Sequence, residues 1–348
     1  MKRLVLLLLS LLCVCFPLRA QQASVDRKAL SLDSVERDRG MELVRTGDYK
    51  GAIEAFRLAV KQNAADSDAW FNLGLVLTHE NKPGDAIKAF RTALKLRKDF
   101  ESAHSWIAYC LVLSGKTTEG VRETDAALAL NVNDKQAYFV RALGYLYDWK
   151  IEAAIKEADV AIRLDPAFAD AYLLKSRALV YDYGQVRSNR DPETVEKKEA
   201  RDLRLVQQSR KLSEAADGLE KYVSLNPKSL EVARVREELE TLRFYGNEAK
   251  SEPPNKTVFQ GKDVLVKAVI KSKPAPDIGG IYERNAFVVL KAVLSSDGVV
   301  KYILPITRPN SLTEPAIKAA KKIKFVPGMI NGKPVSQWIQ IEYNFSIR

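Results

Sequence analysis

Few residues in this 348-residue chain are of the types that do chemistry. Its two histidines, His79 and His104, both fall in helix-like stretches. Neither has Cys, His or Asp neighbours at metal-ligand spacing. Such histidines read as packing, groove or surface residues, with no partner to make them a general base. The stretch Ser295-Ser296-Asp297-Gly298 has a serine but no accompanying His-Asp set, so it reads as a turn. No glycine-rich loop ending in Lys-Ser/Thr is present to cradle a phosphate. The residue types predict a chain without catalytic machinery, metal or cofactor, whose work is binding.

Two of the three cysteines, Cys13 and Cys15, lie in the apolar run LVLLLLSLLCVCFPL, which follows Met1-Lys2-Arg3. A basic start, a short apolar core and Ala20 at a cleavage position form an export signal over residues 1–20. The run falls short of the roughly 17–25 residues that cross a bilayer, and a retained anchor is the alternative. No later segment is apolar enough to cross, so the mature chain is expected to have no transmembrane helix. Cleavage would leave Cys110 alone, which excludes a disulfide framework and makes Cys110 a buried structural thiol. The net charge is +11, of which residues 251–348 carry +8 and the signal +3, leaving residues 21–250 neutral. The basic end suits an anionic surface, with a solvated basic face as the plainer reading.

The elements that must carry binding residues announce themselves by a repeat. Ala52, Ala86, Gly120 and Ala154 are spaced 34 apart, as are Ala59, Ala93, Ala127 and Ala161. Small residues there let paired helices approach closely, with Phe56 and Phe90 filling the space between. Trp70, Leu73, Gly74 and Leu77 mark the preceding helix of the second unit, and Pro166 closes the fourth. This resembles the tetratricopeptide family, with four units plus the first helix of a fifth over about residues 33–180. The second helix of the fifth unit arrives late, after an insertion at about 184–212, which predicts one long helix from Pro192, capped by Asp191, to Ser224. A helix from Ser229 to Phe244 would cap the stack.

Members of this family bind partners in a groove lined by the first helix of each pair. The resemblance places Phe71, Leu75 and His79 there, then Tyr109 and Leu113, then Phe139, Leu143 and Tyr147, then Leu173, Arg177 and Tyr181. The set is apolar and aromatic, suited to a protein or peptide partner. Coverage of this face by the chain's own long helix or tail is the alternative.

Lys250 to Thr257 is polar and contains proline, which predicts a linker over 250–257. Beyond it the period changes. Two β-prone runs flank Asp297-Gly298, and a helix follows from about Ser311, with Ala316, Ile317, Ala320 and Ile323 on its buried stripe and Ser311 and Glu314 at capping-box spacing. Asn331-Gly332 then turns into a strand with Ile339, Ile341, Tyr343, Phe345 and Ile347 on one face. This ββαβ unit resembles the C-terminal domain of TonB, the energy transducer of bacterial envelopes. The resemblance rests on VLKAVLSSDGVV, LTEPAIKAAKKIKFVPG and NGKPVSQWIQIEYNF.

The fold class expected is therefore α followed by α+β: a helical solenoid over 33–249, then a TonB-like domain over 258–348. In that family a sheet edge pairs with a segment of an outer-membrane receptor. Here the matching edge is the last strand, with Trp338, Gln340, Glu342 and Asn344, unless that strand is purely structural. Energy transduction fits poorly, because the apolar N-terminus lacks the histidine of such anchors and no proline-rich spacer exists. The resemblances imply a periplasmic interaction scaffold, with no nucleic acid expected among its partners. An inner-membrane-anchored accessory of receptor transport is a second reading, and cell-wall polymer binding through the basic end a third.

Overall fold

The structure is a computed structural model in which residues 32–188, 198–248, 265–278, 286–307 and 312–345 are described. The chain divides into two compact units, residues 1–171 and 172–348. The signal at 1–20, the helix start at Asp191-Pro192 and the linker at 250–257 fall outside the described residues.

The first unit is a run of helices α1 (Leu32–Thr46), α2 (Tyr49–Gln62), α3 (Ser67–His79), α4 (Pro83–Leu96), α5 (Glu101–Leu113), α6 (Thr117–Leu130), α7 (Lys135–Tyr147) and α8 (Ile151–Leu164). Aspartates start several of them: Asp48 accepts from the Gly51 N–H, Asp66 from Ala69 and Asp134 from Gln136 and Ala137. Pro83 opens α4, where its missing N–H costs nothing. The repeat's alanines are fully buried, as are Phe56 and Phe90. A Cβ added to Gly40 would stand 2.7 Å from the Phe56 ring, and one on Gly74 2.5 Å from the Phe90 ring. The glycine is thus what lets each aromatic ring sit between its two helices.

A second period of 34 is visible only in the backbone. Gly47, Asn81, Gly115 and Trp149 all take the left-handed conformation in the turn between paired helices, with φ between 55° and 83°. The turn geometry is imposed by the repeat, and at Trp149 it overrides the residue's own preference.

Helix α9 (Ala169–Ser188) leads into the second unit, which contains α10 (Lys198–Leu225) and α11 (Val232–Glu248). Gly218 of α10 lies so close to α9 that a Cβ there would collide with the Ser176 hydroxyl. Ala215, Leu219 and Tyr222 of α10 and Val235, Leu242 and Tyr245 of α11 form buried stripes.

The rest of the unit holds β1 (Leu265–Val266), β2 (Val269–Ser272), β3 (Ala286–Leu294), β4 (Val300–Pro305), α12 (Thr313–Ala320), β5 (Lys324–Val326), β6 (Gly328–Ile330), β7 (Lys333–Val335) and β8 (Gln337–Phe345). One antiparallel sheet has the order β4-β3-β8; smaller ones are β1-β6-β7 and β2-β5. Val288, Leu290, Leu294, Ile341 and Tyr343 of the large sheet pack with Ala316, Ala320 and Ile323. The expected hairpin, helix and final strand are all present. Helix α12 begins after Leu312, which makes no side-chain cap; the capping box expected at Ser311 lies outside the described residues. Strands β1, β2 and the short ones after α12 were not foreseen. The turn at Asn331-Gly332, with φ of 50° and 78°, joins β6 to β7, and only then does β8 begin.

Candidate functional site

The outermost strand β8 pairs with β3 alone among the described residues, in unbroken register from Ala286↔Phe345 to Leu294↔Gln337. Which backbone groups it leaves open follows from Val289. That residue's N–H donates to the Thr307 hydroxyl (3.2 Å) and its carbonyl accepts from Ile306 N–H (2.9 Å), so both turn toward the β4 side. Val289 faces Glu342, making theirs a pair without mutual hydrogen bonds. The N–H and C=O of Glu342 therefore point out of the sheet. By the two-residue period of a strand, those of Trp338, Gln340 and Asn344 do so too. Lys273 confirms the direction: its Nζ donates to the Glu342 carbonyl at 3.0 Å and lies 5.2 Å from the Tyr343 ring centre. Burial raises the pKa of the Tyr343 phenol.

The side chains divide along the same strand. Gln340, Glu342 and Asn344 are exposed, and the Gln340 amide donates to the Glu342 carboxylate at 2.9 Å. Trp338 is covered from within its own unit. Phe244 and Tyr245 of α11 pack on its ring at 5.3 and 5.0 Å between centroids, and the Lys291 ammonium stands 4.0 Å from it. Phe244 also stacks on Tyr302 at 4.0 Å, and the Tyr245 hydroxyl donates to the Tyr302 carbonyl at 2.8 Å. Tyr302 sits at φ 50° in a bulge of β4, a conformation unfavourable for an aromatic residue that these contacts hold in place. The open edge thus runs from Gln340 to Asn344, with α11 clamped at its beginning. Sequence reading missed this clamp, whose signal was the adjacent pair Phe244-Tyr245 at the end of a helix expected to be polar outside.

The eleven groove candidates separate by burial. Tyr109, Leu113, Phe139 and Leu143 in the first unit are buried, and so is Leu173 in the second. Phe139 packs against Phe168 at 5.1 Å. Phe71, Leu75, His79 and Tyr147 are half-exposed. Phe71 lies 4.5 Å from the Phe100 ring, and His79 stacks on Tyr49 at 3.6 Å. Desolvation lowers the His79 pKa, with Glu80 pulling weakly the other way. Arg177 is only 13% exposed, and its guanidinium faces Glu231 at 4.0 Å and Glu238 at 3.9 Å. Its charge is therefore engaged by the residues that begin α11 and form its second turn. Tyr181 is half-buried in the same neighbourhood, and burial raises its phenol pKa. Within the second unit, the chain itself occupies what the resemblance offered to a partner.

The residues singled out for chemistry have structural surroundings. Cys110 is buried, its thiol pKa pushed up to about 11 by desolvation, with the Thr78 hydroxyl 3.3 Å away. His104 meets Glu123 at 2.7 Å. The Ser295–Gly298 stretch is a turn, with Gly298 at φ 85° and Lys301 paired to Asp297. Among the described residues no cluster of His, Cys, Asp and Glu is built to hold a metal, and no helix is long and apolar enough to cross a membrane.

Comparison with known proteins agrees with this architecture. Residues 37–101 match the tetratricopeptide repeat family, and residues 283–347 match the Gram-negative bacterial TonB protein C-terminal family. The chain thus contains a segment that matches tetratricopeptide repeats and, after it, one that matches the TonB C-terminal domain. Similar solved structures include a thermophilic tetratricopeptide protein of Thermus thermophilus, TTC0263, at 15% identity over 60% of this chain and 99% of that one, TM-score 0.47. Others are PilW, a type IV pilus biogenesis factor, at 18% identity over 60% and 100%, TM-score 0.41, and MamA of Desulfovibrio magneticus RS-1, at 17% over 59% and 98%, TM-score 0.39. No match was found among curated proteins.

Proposed function

We propose that this protein is a non-enzymatic scaffold of the bacterial periplasm, which takes an extended segment of an envelope protein onto the open edge of β8. The observation that carries the reading is the outward set of backbone donors and acceptors from Gln340 to Asn344, presented by a strand whose other side is fully paired. Such an edge can add a strand without breaking the ladder to β3, the added strand taking over the Glu342 carbonyl from the Lys273 ammonium. The match to the TonB C-terminal family supports the choice of an envelope partner, such as an outer-membrane receptor. The tetratricopeptide match supports a second protein or peptide contact on the first unit, where Phe71, Leu75, His79 and Tyr147 are within a partner's reach.

The test is a photo-crosslinking residue at Gln340 in cells, with and without Glu342→Pro. Proline there removes an outward N–H and leaves the ladder to β3 intact. The expected result is an adduct with an envelope protein that disappears in the proline variant, while the melting curve stays near that of the parent. Adducts unchanged by Glu342→Pro would mean that the edge is not the contact.

A further inference from the structure

Besides the edge, the C-terminal region carries a basic surface whose lysines make no ion pair among the described residues. Strands β1–β2 and β5–β6 run antiparallel with one register: Leu265↔Ile330, Val266↔Met329, Val269↔Val326, Ile270↔Phe325. Phe325 points into the core, so Lys324 and Val326 on either side of it point out, together with Val269 opposite Val326. Val269 and Val326 are 48% and 42% exposed, and Val266 and Ile270, on the same ribbon, 51% and 37%. Lys267 and Lys271 flank Val269 along the strand, and Lys318 and Lys322 follow at the end of α12; all of these, like Lys324, are exposed. None of Lys267, Lys271, Lys318, Lys322 and Lys324 makes an ion pair among the described residues. Among the acids of the described residues, Asp297 holds Lys301, Glu314 lies in the first turn of α12 and the Glu342 carboxylate accepts from the Gln340 amide.

We propose that the β2–β5 ribbon and the end of α12 form a surface for an anionic phospholipid layer. The lysines would meet headgroup phosphates, each worth about a fivefold gain in partitioning at such a surface, while the valine pair enters the headgroup boundary. The valines favour a lipid over a hydrated wall polymer, which gains nothing from apolar side chains. Five unpaired lysines likewise oppose a second copy of the same face. The proposal does not rest on strand addition at β8, although Lys273, just after β2, touches that edge at the Glu342 carbonyl.

The test is flotation of the full-length protein with vesicles of phosphatidylglycerol and phosphatidylcholine, and with phosphatidylcholine alone. Hydrogen exchange is recorded on the bound protein, to separate the ribbon from contacts elsewhere in the chain. Lys322→Gln/Lys324→Gln is expected to lower the partition coefficient onto anionic vesicles about 25-fold, two lysines at about fivefold each. Val269→Ser/Val326→Ser, at exposed positions, lowers it several-fold with an unchanged melting curve. Exchange slows at residues 265–272 and 324–326 only with anionic vesicles. Two results would overturn the proposal: vesicle binding or ribbon exchange indifferent to both variants, or lysine-dependent sedimentation with peptidoglycan sacculi in the absence of vesicle binding.

Discussion

Two glycines of the first unit show how different physical demands look alike in a sequence. Gly47 has φ 83° and open space where a Cβ would go, so Gly47→Ala should cost about 1 kcal/mol of backbone strain alone. Gly74 is helical, and a Cβ there meets the Phe90 ring at 2.5 Å, so Gly74→Ala should cost about 1–3 kcal/mol by overpacking. Denaturant unfolding of the single and double variants separates the two: Phe90→Leu should recover part of the loss at Gly74 and none at Gly47. His79 makes a pH prediction of definite sign. Burial lowers its pKa, so its contribution to stability is complete above about 6.5, its ordinary value, and lost as pH falls toward the folded value. An NMR titration should place its midpoint below 6.5, and His79→Gln should flatten that part of the stability profile. Asp297 behaves differently at lower pH: bonded to Lys301, it titrates at about 2, so its share of the turn's stability is lost only as pH falls from the ordinary carboxylate range to that value.

Among the elements, the clamp between α11 and the sheet decides how the C-terminal region is held. Trp338→Ala removes ring contacts to Phe244 and Tyr245 and the cation beside them, and should cost about 3 kcal/mol. Far-UV circular dichroism and tyrosine fluorescence should then report two separate unfolding transitions in the second unit, where the parent is expected to give one. A single unsplit transition would show that the clamp is not what joins them. Periodicity made the paired helices and the β3-β4-α12-β8 order legible, because each has a strict apolar pattern of its own. It could not show the β1–β2 ribbon, whose valines are exposed and interspersed with lysines, so no buried face betrays a strand. Nor could it show α11 on the sheet, since a docking helix needs only two aromatic residues at its end.

For the whole molecule, the surfaces that a partner can reach are fewer than the sequence offered. Five of the eleven groove positions are buried, and Arg177 is engaged by the chain's own acids. Family position assigns a residue to a helix face; whether neighbouring side chains then close over it depends on packing that one helix's pattern does not record. The last strand fared better, because alternation fixes both its faces and, once β3 is known to be its only neighbour among the described residues, the direction of its open backbone groups. The most direct measurement of the central claim is residue-resolved amide exchange across β8, free and with the captured envelope protein bound. Strand addition predicts that Gln340, Glu342 and Asn344, which exchange freely alone, become protected while Ile339, Ile341 and Tyr343 stay as they were. Protection spread evenly along the strand, or absent at those three amides, would contradict it.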